Sequence, residues 1–85
     1  MPPGPDLPPA VREAMRAISS RILLERRDQG LSLRELAGLA EVNRSVIGRI
    51  ERNQGNPTLE TLLRLAIGLQ VSAEWLLSGR GPKEP

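Results

Sequence analysis

Apolar residues recur at steps of three and four along most of this chain, and the breaks between the stripes carry Gly, Pro, Asn or Ser. Val11, Met15, Ile18 and Ile22, with Ala14 beside them, predict a first helix from about Pro9 to about Gln29, stopped by Gly30. Its segment before Ile18 reads as an extension. Its charges, Arg12, Arg16, Arg21, Arg26 and Arg27 against Glu13, Glu25 and Asp28, read as a solvated face. Leu36, Ala37 and Ala40, then Val42, Ile47 and Ile50, mark two short helices, Leu33 to Ala40 and Arg44 to about Arg52. Ser32 and Glu35 form a capping-box pattern for the first of these, and Asn43 is a good N-cap for the second. Only Glu41 and Val42 separate Ala40 from that cap, so the pair reads as a helix-turn-helix. Thr58 caps a fourth helix, Leu59 to Leu69, and Ser72 caps a short fifth, AEWLLS, closed by Gly79. Neither helix of the pair is long enough to be stable alone. They must share one core with the others, in an all-α fold.

The ends differ in character. Residues 1–9, MPPGPDLPP, hold five prolines, and each X-Pro step disfavours helix in the residue before it, so a disordered tail is expected there. Residues 80–85 are polar and breaker-rich, and a second disordered tail is expected. The folded domain is then 10–79.

Composition narrows the chemistry. Eighty-five residues suit one small domain. With no Cys there is no disulfide framework, and with no His the usual zinc and iron ligand sets are missing, so neither metal nor cofactor is expected. General acid-base and nucleophilic chemistry draws on His, Cys and Tyr, all absent, and the carboxylates form no paired constellation, so an enzyme is not expected. No apolar run approaches the roughly 20 residues that span a bilayer, and the first residues lack a secretory pattern, so no membrane association is expected and the cytoplasm is the expected location. Trp75 is the single aromatic residue, which leaves the core to Leu, Ile, Val and Ala. The net charge is only +2, but Lys83 is the one lysine among twelve cationic side chains. Arginine's planar fork suits phosphate oxygens and guanine edges.

Position turns that preference into a hypothesis. On the third helix Val46, Ile47 and Ile50 are expected to face inward, which leaves Arg44, Ser45, Gly48, Arg49 and Arg52 outside. A helix that presents such a face can enter the major groove, where its first turn and one position a turn later reach base edges. Arg44, Ser45 and Arg49 hold those positions. Arg49 can bind guanine O6 and N7, Ser45 can donate or accept, and Arg44 can reach a base or a phosphate. Gly48, which costs about 1 kcal/mol against alanine inside a helix, leaves room between them. The alternative is a basic face that is merely solvated.

The residues ISSR at Ile18–Arg21, Arg26, GLS at Gly30–Ser32, ELA at Glu35–Ala37, IGRIE at Ile47–Glu51, Pro57 and VSAEWLLSG at Val71–Gly79 fall in one familiar order. Over Ile18–Gly79 the chain resembles the Cro and phage-repressor type of helix-turn-helix domain, the XRE family. The resemblance implies a compact five-helix, lambda-repressor-like bundle. It also implies a transcription regulator, typically a repressor, that acts as a homodimer on a near-palindromic double-stranded DNA operator. Base contacts fall on Arg44, Ser45 and Arg49, and DNA backbone contacts on Leu33, Asn43, Arg52, Asn53 and Asn56. Leu33 stands where the family often has glutamine, so its contact shrinks to the backbone N–H. Arg26 and Glu51 match a structural ion pair, Trp75 matches a position in the core or at a dimer contact, and Trp75 and Leu76 of the fifth helix are the expected dimer interface. Glu41 occupies a turn position that is commonly glycine, so the turn is either strained or shifted, whereas Asn53 at a second such position tolerates the left-handed conformation. Small repressors, restriction-modification controllers and antitoxins, the last with a toxin as protein partner, all fit the resemblance.

Overall fold

Pro9 opens the first helix, α1 (Pro9–Asp28), at a position where a missing backbone N–H leaves nothing unpaired. The computed structural model describes residues 7–85, so the expected tail at 1–9 lies largely outside the described residues. The first turns of α1, through Ala14, are exposed, and burial begins at Met15 and deepens through Ser19, Ile22 and Glu25. The extension expected before Ile18 therefore stands clear of the bundle only through Ala14, since Met15 borders Ile50 and Leu62. Gly30, at φ 70°, ends the helix while Leu31 N–H donates back to the Arg26 carbonyl at 3.0 Å.

Four more helices follow: α2 (Leu33–Ala40), α3 (Arg44–Glu51), α4 (Leu59–Leu69) and α5 (Ala73–Ser78). Each starts where a side-chain oxygen takes an orphan backbone N–H: Ser32 from Glu35, Asn43 from Ser45, Thr58 from Thr61 and Ser72 from Trp75. The Ser32–Glu35 box is reciprocal, with bonds of 3.0 and 2.8 Å. The hydrogen bonds from Ser32, the backbone one foremost, hold the Glu35 carboxyl below the usual carboxylate range. No strand occurs among the described residues, and no described helix is long and apolar enough to cross a membrane.

Ile22, Leu36, Ile47, Leu65, Leu69 and Leu76 are fully buried and form the centre of a single core. Burying each such side chain contributes on the order of 1.5–3 kcal/mol before the entropy of ordering it. The packing of α2 on α4 is the most extensive between any two helices. It depends on Gly68, where an added Cβ would come within 2.9 Å of the Ala40 Cβ and 3.0 Å of the Ala40 backbone.

Three sequence expectations are corrected. Val46 does not face the core but is 37% exposed. Ile47 and Ile50 already fill the inward arc of α3, and Val46 turns instead toward Pro57, Thr58 and Thr61. Leu76 has no exposed surface, so it offers nothing to a second copy. The segment 80–85 is not a free tail. It folds back along α5, with the Ser72 hydroxyl donating to the Pro82 carbonyl at 2.8 Å and the Ser72 N–H to the Lys83 carbonyl at 2.7 Å. The Lys83 ammonium meets Glu25 Oε1 at 2.6 Å and lies 5.2 Å from the centre of the Trp75 ring. Burial works to raise the Glu25 carboxyl, but hydrogen bonds from Lys83 and Gln29 outweigh it and hold the group below its ordinary value. Its contribution is therefore present above the ordinary carboxylate range and lost only as pH falls through the lowered value. The hydrogen bond to Glu25 raises Lys83, so the same link is lost on the alkaline side only above the ordinary lysine range.

Two glycine substitutions separate packing from helix propensity. Gly68→Ala should lower stability by about 1–3 kcal/mol in urea unfolding, because the added methyl meets the α2 backbone. Gly38→Ala, whose added Cβ would have nothing within 4 Å, should raise stability by about 0.5–1 kcal/mol. Equal effects at the two positions would contradict this packing account.

Candidate nucleic-acid interface

The turn between α2 and α3 sets how the second helix leaves the first. Glu41 takes the left-handed conformation at φ 54°, ψ 49°, so the turn carries strain at this residue. Val42 N–H donates to the Ala37 carbonyl at 3.1 Å, and an Arg64 guanidinium nitrogen from α4 donates to the Glu41 carbonyl at 3.3 Å. Asn43 then caps α3, its Oδ1 accepting from the Ser45 N–H at 2.7 Å. At the other end Asn53 takes φ 57°, and Gln54 N–H closes the helix on the Arg49 carbonyl at 2.8 Å.

From below, α3 is held by Arg26. Its guanidinium grips both Glu51 oxygens, Nε to Oε2 at 2.7 Å and Nη2 to Oε1 at 2.9 Å, and its remaining arm donates to the Leu31 carbonyl at 2.7 Å. The two side chains are only 13% and 7% exposed. The hydrogen bond to Glu51 raises the Arg26 guanidinium above its ordinary value and outweighs its burial. One fork thus ties α1, the α1–α2 connection and the C-terminal end of α3 together. The pair expected at Arg26 and Glu51 is present, and Arg26 is not part of a solvated face.

On the outer side Leu33, Arg44, Ser45, Gly48, Arg49 and Arg52 line one shallow surface hollow of about 340 Å³. Three of the six are arginines and none is a carboxylate, while Arg44, Ser45, Arg49 and Arg52 are all exposed. Leu33 is half-buried and packs against the core, so at the head of α2 it closes the floor of this hollow. Gly48 is buried beneath Arg52, and an added Cβ would come within 3.2 Å of the Arg52 Nη1. Its lost helix propensity thus gives that guanidinium a seat on the helix. Arg49 also borders a neighbouring hollow of about 260 Å³ with Val46, Gly55 and Asn56. There an added Cβ at Gly55 would lie 3.2 Å from the Arg49 Nη2, so in the free chain the guanidinium rests over the α3–α4 loop. Asn53 is exposed on the far side of that loop, beside Met15 and Ile18 of α1, and does not join the other site residues.

Several positioning residues escaped the sequence reading. Arg21 donates to the Leu76 and Leu77 carbonyls at 2.8 and 3.1 Å and so clamps the C-terminal end of α5 to α1. Gln29 bridges Glu25 Oε2 at 3.0 Å and the Leu69 carbonyl at 2.7 Å. Their partners lie 55, 56 and 40 residues away in sequence, beyond any local pattern. The one available signal was their place beside buried positions of α1.

The sequence pattern of the helix-turn-helix family matches residues 22–76. SutR, a helix-turn-helix transcriptional regulator of Escherichia coli, is 36% identical over 63 residues, covering 74% of this chain and 35% of SutR. The restriction-modification controller protein C.AhdI from Aeromonas hydrophila superposes with a TM-score of 0.70 at 33% identity, covering 75% of this chain and 97% of the controller. SinR, a master regulator for biofilm formation solved in complex with DNA, superposes with a TM-score of 0.66 at 42% identity, covering 72% of this chain and 98% of the solved one. The chain spans about a third to three fifths of the length of the curated regulators SutR and SinR.

Two substitutions test the geometry that holds α3. Glu51→Ala strands the Arg26 guanidinium in a site with little water and should destabilise the fold by about 3–5 kcal/mol in denaturant titration. Glu41→Gly, at a left-handed position, should instead stabilise it by up to about 1 kcal/mol, the relieved strain being partly offset by glycine's extra unfolded-state freedom. A Glu51→Ala protein as stable as wild type would remove the fork from its central role.

Proposed function

The chain belongs to the helix-turn-helix family, and on that footing we propose that it is a sequence-specific, double-stranded DNA-binding transcription regulator, acting as a repressor and as a homodimer on a near-palindromic operator. The observation that carries this is the carboxylate-free hollow on α3, where Arg44, Ser45, Arg49 and Arg52 are exposed around the buried Gly48. A helix with three exposed arginines suits a polyanion, since the helix dipole adds a partial positive charge at its N-terminal end.

Arg44, Ser45 and Arg49 are the base-reading set. Arg49 leaves its rest over Gly55 and spans O6 and N7 of a guanine, a contact worth about 1–3 kcal/mol of discrimination. Arg52, Asn56, the capped start at Asn43 and the backbone N–H of Leu33 grip phosphates and set register without reading sequence, while Asn53, on the far side of the loop, takes no part. Fixing α3 from beneath through Arg26 keeps these side chains in one frame as the duplex approaches. The bacterial cytoplasm, or that of a phage-infected cell, is where such a regulator works.

A protein partner, such as a toxin, is the second reading. Leu59, Leu63 and Ile67 recur at steps of four on α4 and are 62%, 39% and 74% exposed, an apolar stripe that duplex recognition does not use.

Salt-titrated binding to an operator selected from random duplexes checks the assignment. Arg49→Ala should weaken binding about 5- to 200-fold and relax preference at one base pair, whereas Arg52→Ala should weaken all sequences alike and reduce the salt slope by about one. An Arg49→Ala protein that binds the selected operator as tightly as wild type would show that Arg49 is not a base reader.

A further inference from the structure

The returning C-terminal segment lies on the side of α5 and α1. Ser72 holds it through the Pro82 and Lys83 carbonyls, Lys83 reaches over Trp75 to Glu25, and an added Cβ at Gly81 would meet the Glu74 carboxylate. None of these contacts involves α2 or α3. Beside the segment is a hollow of about 470 Å³ lined by Arg21, Leu24, Glu25, Arg27, Asp28, Trp75 and Lys83.

We propose that residues 81–83 form a displaceable clasp over the surface on which a second copy of this chain docks, so that opening the clasp and pairing of two chains favour one another. The inference rests on the homodimer reading above. Two features favour a second copy as occupant. Leu24, 61% exposed, and Trp75 supply an apolar centre. Arg27 and Asp28 flank them on α1 beside the buried Glu25, and a surface carrying both signs is self-complementary across a two-fold axis. The Arg27 of a second chain can replace Lys83 opposite Glu25, leaving no buried carboxylate unpaired. Lys83 is 43% exposed but Glu25 only 9%, so opening the clasp alone strands the carboxylate and becomes favourable when a docking chain brings a cation to it.

The experiment is sedimentation equilibrium of the full chain and of Lys83→Glu, which sets a carboxylate against Glu25 and releases the clasp. The variant should dimerise about 3- to 30-fold more tightly than wild type, the factor by which a closed clasp reduces the docking-competent population. Unchanged or weaker dimerisation overturns the proposal. If Lys83→Glu fails to fold, Lys83→Ala removes the same link while leaving Glu25 for the Arg27 of the second chain, and the same increase is expected of it. Chains that all stay monomeric while binding duplex DNA through Arg49 overturn the clasp and leave the DNA reading standing. Tighter dimers that bind no duplex support the clasp and sink the DNA reading instead.

Discussion

The fork of Arg26 on Glu51 is the interaction on which the interface depends. Both helices of the helix-turn-helix are eight residues long, too short to hold themselves together, so their relative orientation comes from what they pack on. The apolar core supplies most of the free energy, through Ile47 and Ile50 beneath α3 and Leu36 and Ala40 beneath α2. Greasy contacts alone tolerate some rotation and sliding. A planar guanidinium that satisfies two carboxylate oxygens and the Leu31 carbonyl tolerates little, because each bond has a direction. In a site of this burial the pair's value is geometric rather than a large net stabilisation. It fixes the end of α3 against α1 and thereby aims Arg44, Ser45 and Arg49.

Much of this was legible in the sequence because it is written locally. The four side-chain caps fix four helix starts, and the bounds of α2, α4 and α5 fall where the stripes and caps put them. Glu41, at a turn position that left strain and shift both open, adopts the left-handed conformation. What was not legible depends on distant packing. Val46 sits between inward Ile47 and outward Ser45, and only the position of the α3–α4 loop decides which way it turns. Leu76 and Trp75 are adjacent and both apolar, yet one is sealed and the other half-buried, since α5 is six residues long and α1 covers just one side of it. The 80–85 segment looked like a tail because its glycines and prolines suppress helix, but the same residues permit an extended return along Ser72. Arg21 read as surface charge and Gln29 only as a helix end, although Arg21 satisfies two carbonyls of α5 and Gln29 the last carbonyl of α4.

Two of the molecule's faces are set apart by the bundle. On one, α3 and the head of α2 gather arginines around Gly48 with Leu33 as an apolar floor. On the other, α1, α5 and the returning segment enclose Trp75. The core and Arg26 join the two. The strained Glu41 and the low helix propensity of Gly48 both fall on the first face, where a fixed exit angle and a seat for Arg52 outweigh local stability.

The most direct test of the central claim, that α3 is a base-reading helix held in one frame by Arg26, is selection of binding sites from a random duplex library by the intact chain. Enrichment of an inverted repeat whose half-sites are centred about one helical turn apart, roughly 10–10.5 base pairs, is the predicted result. A bound pool that carries no more sequence preference than the starting library would contradict it.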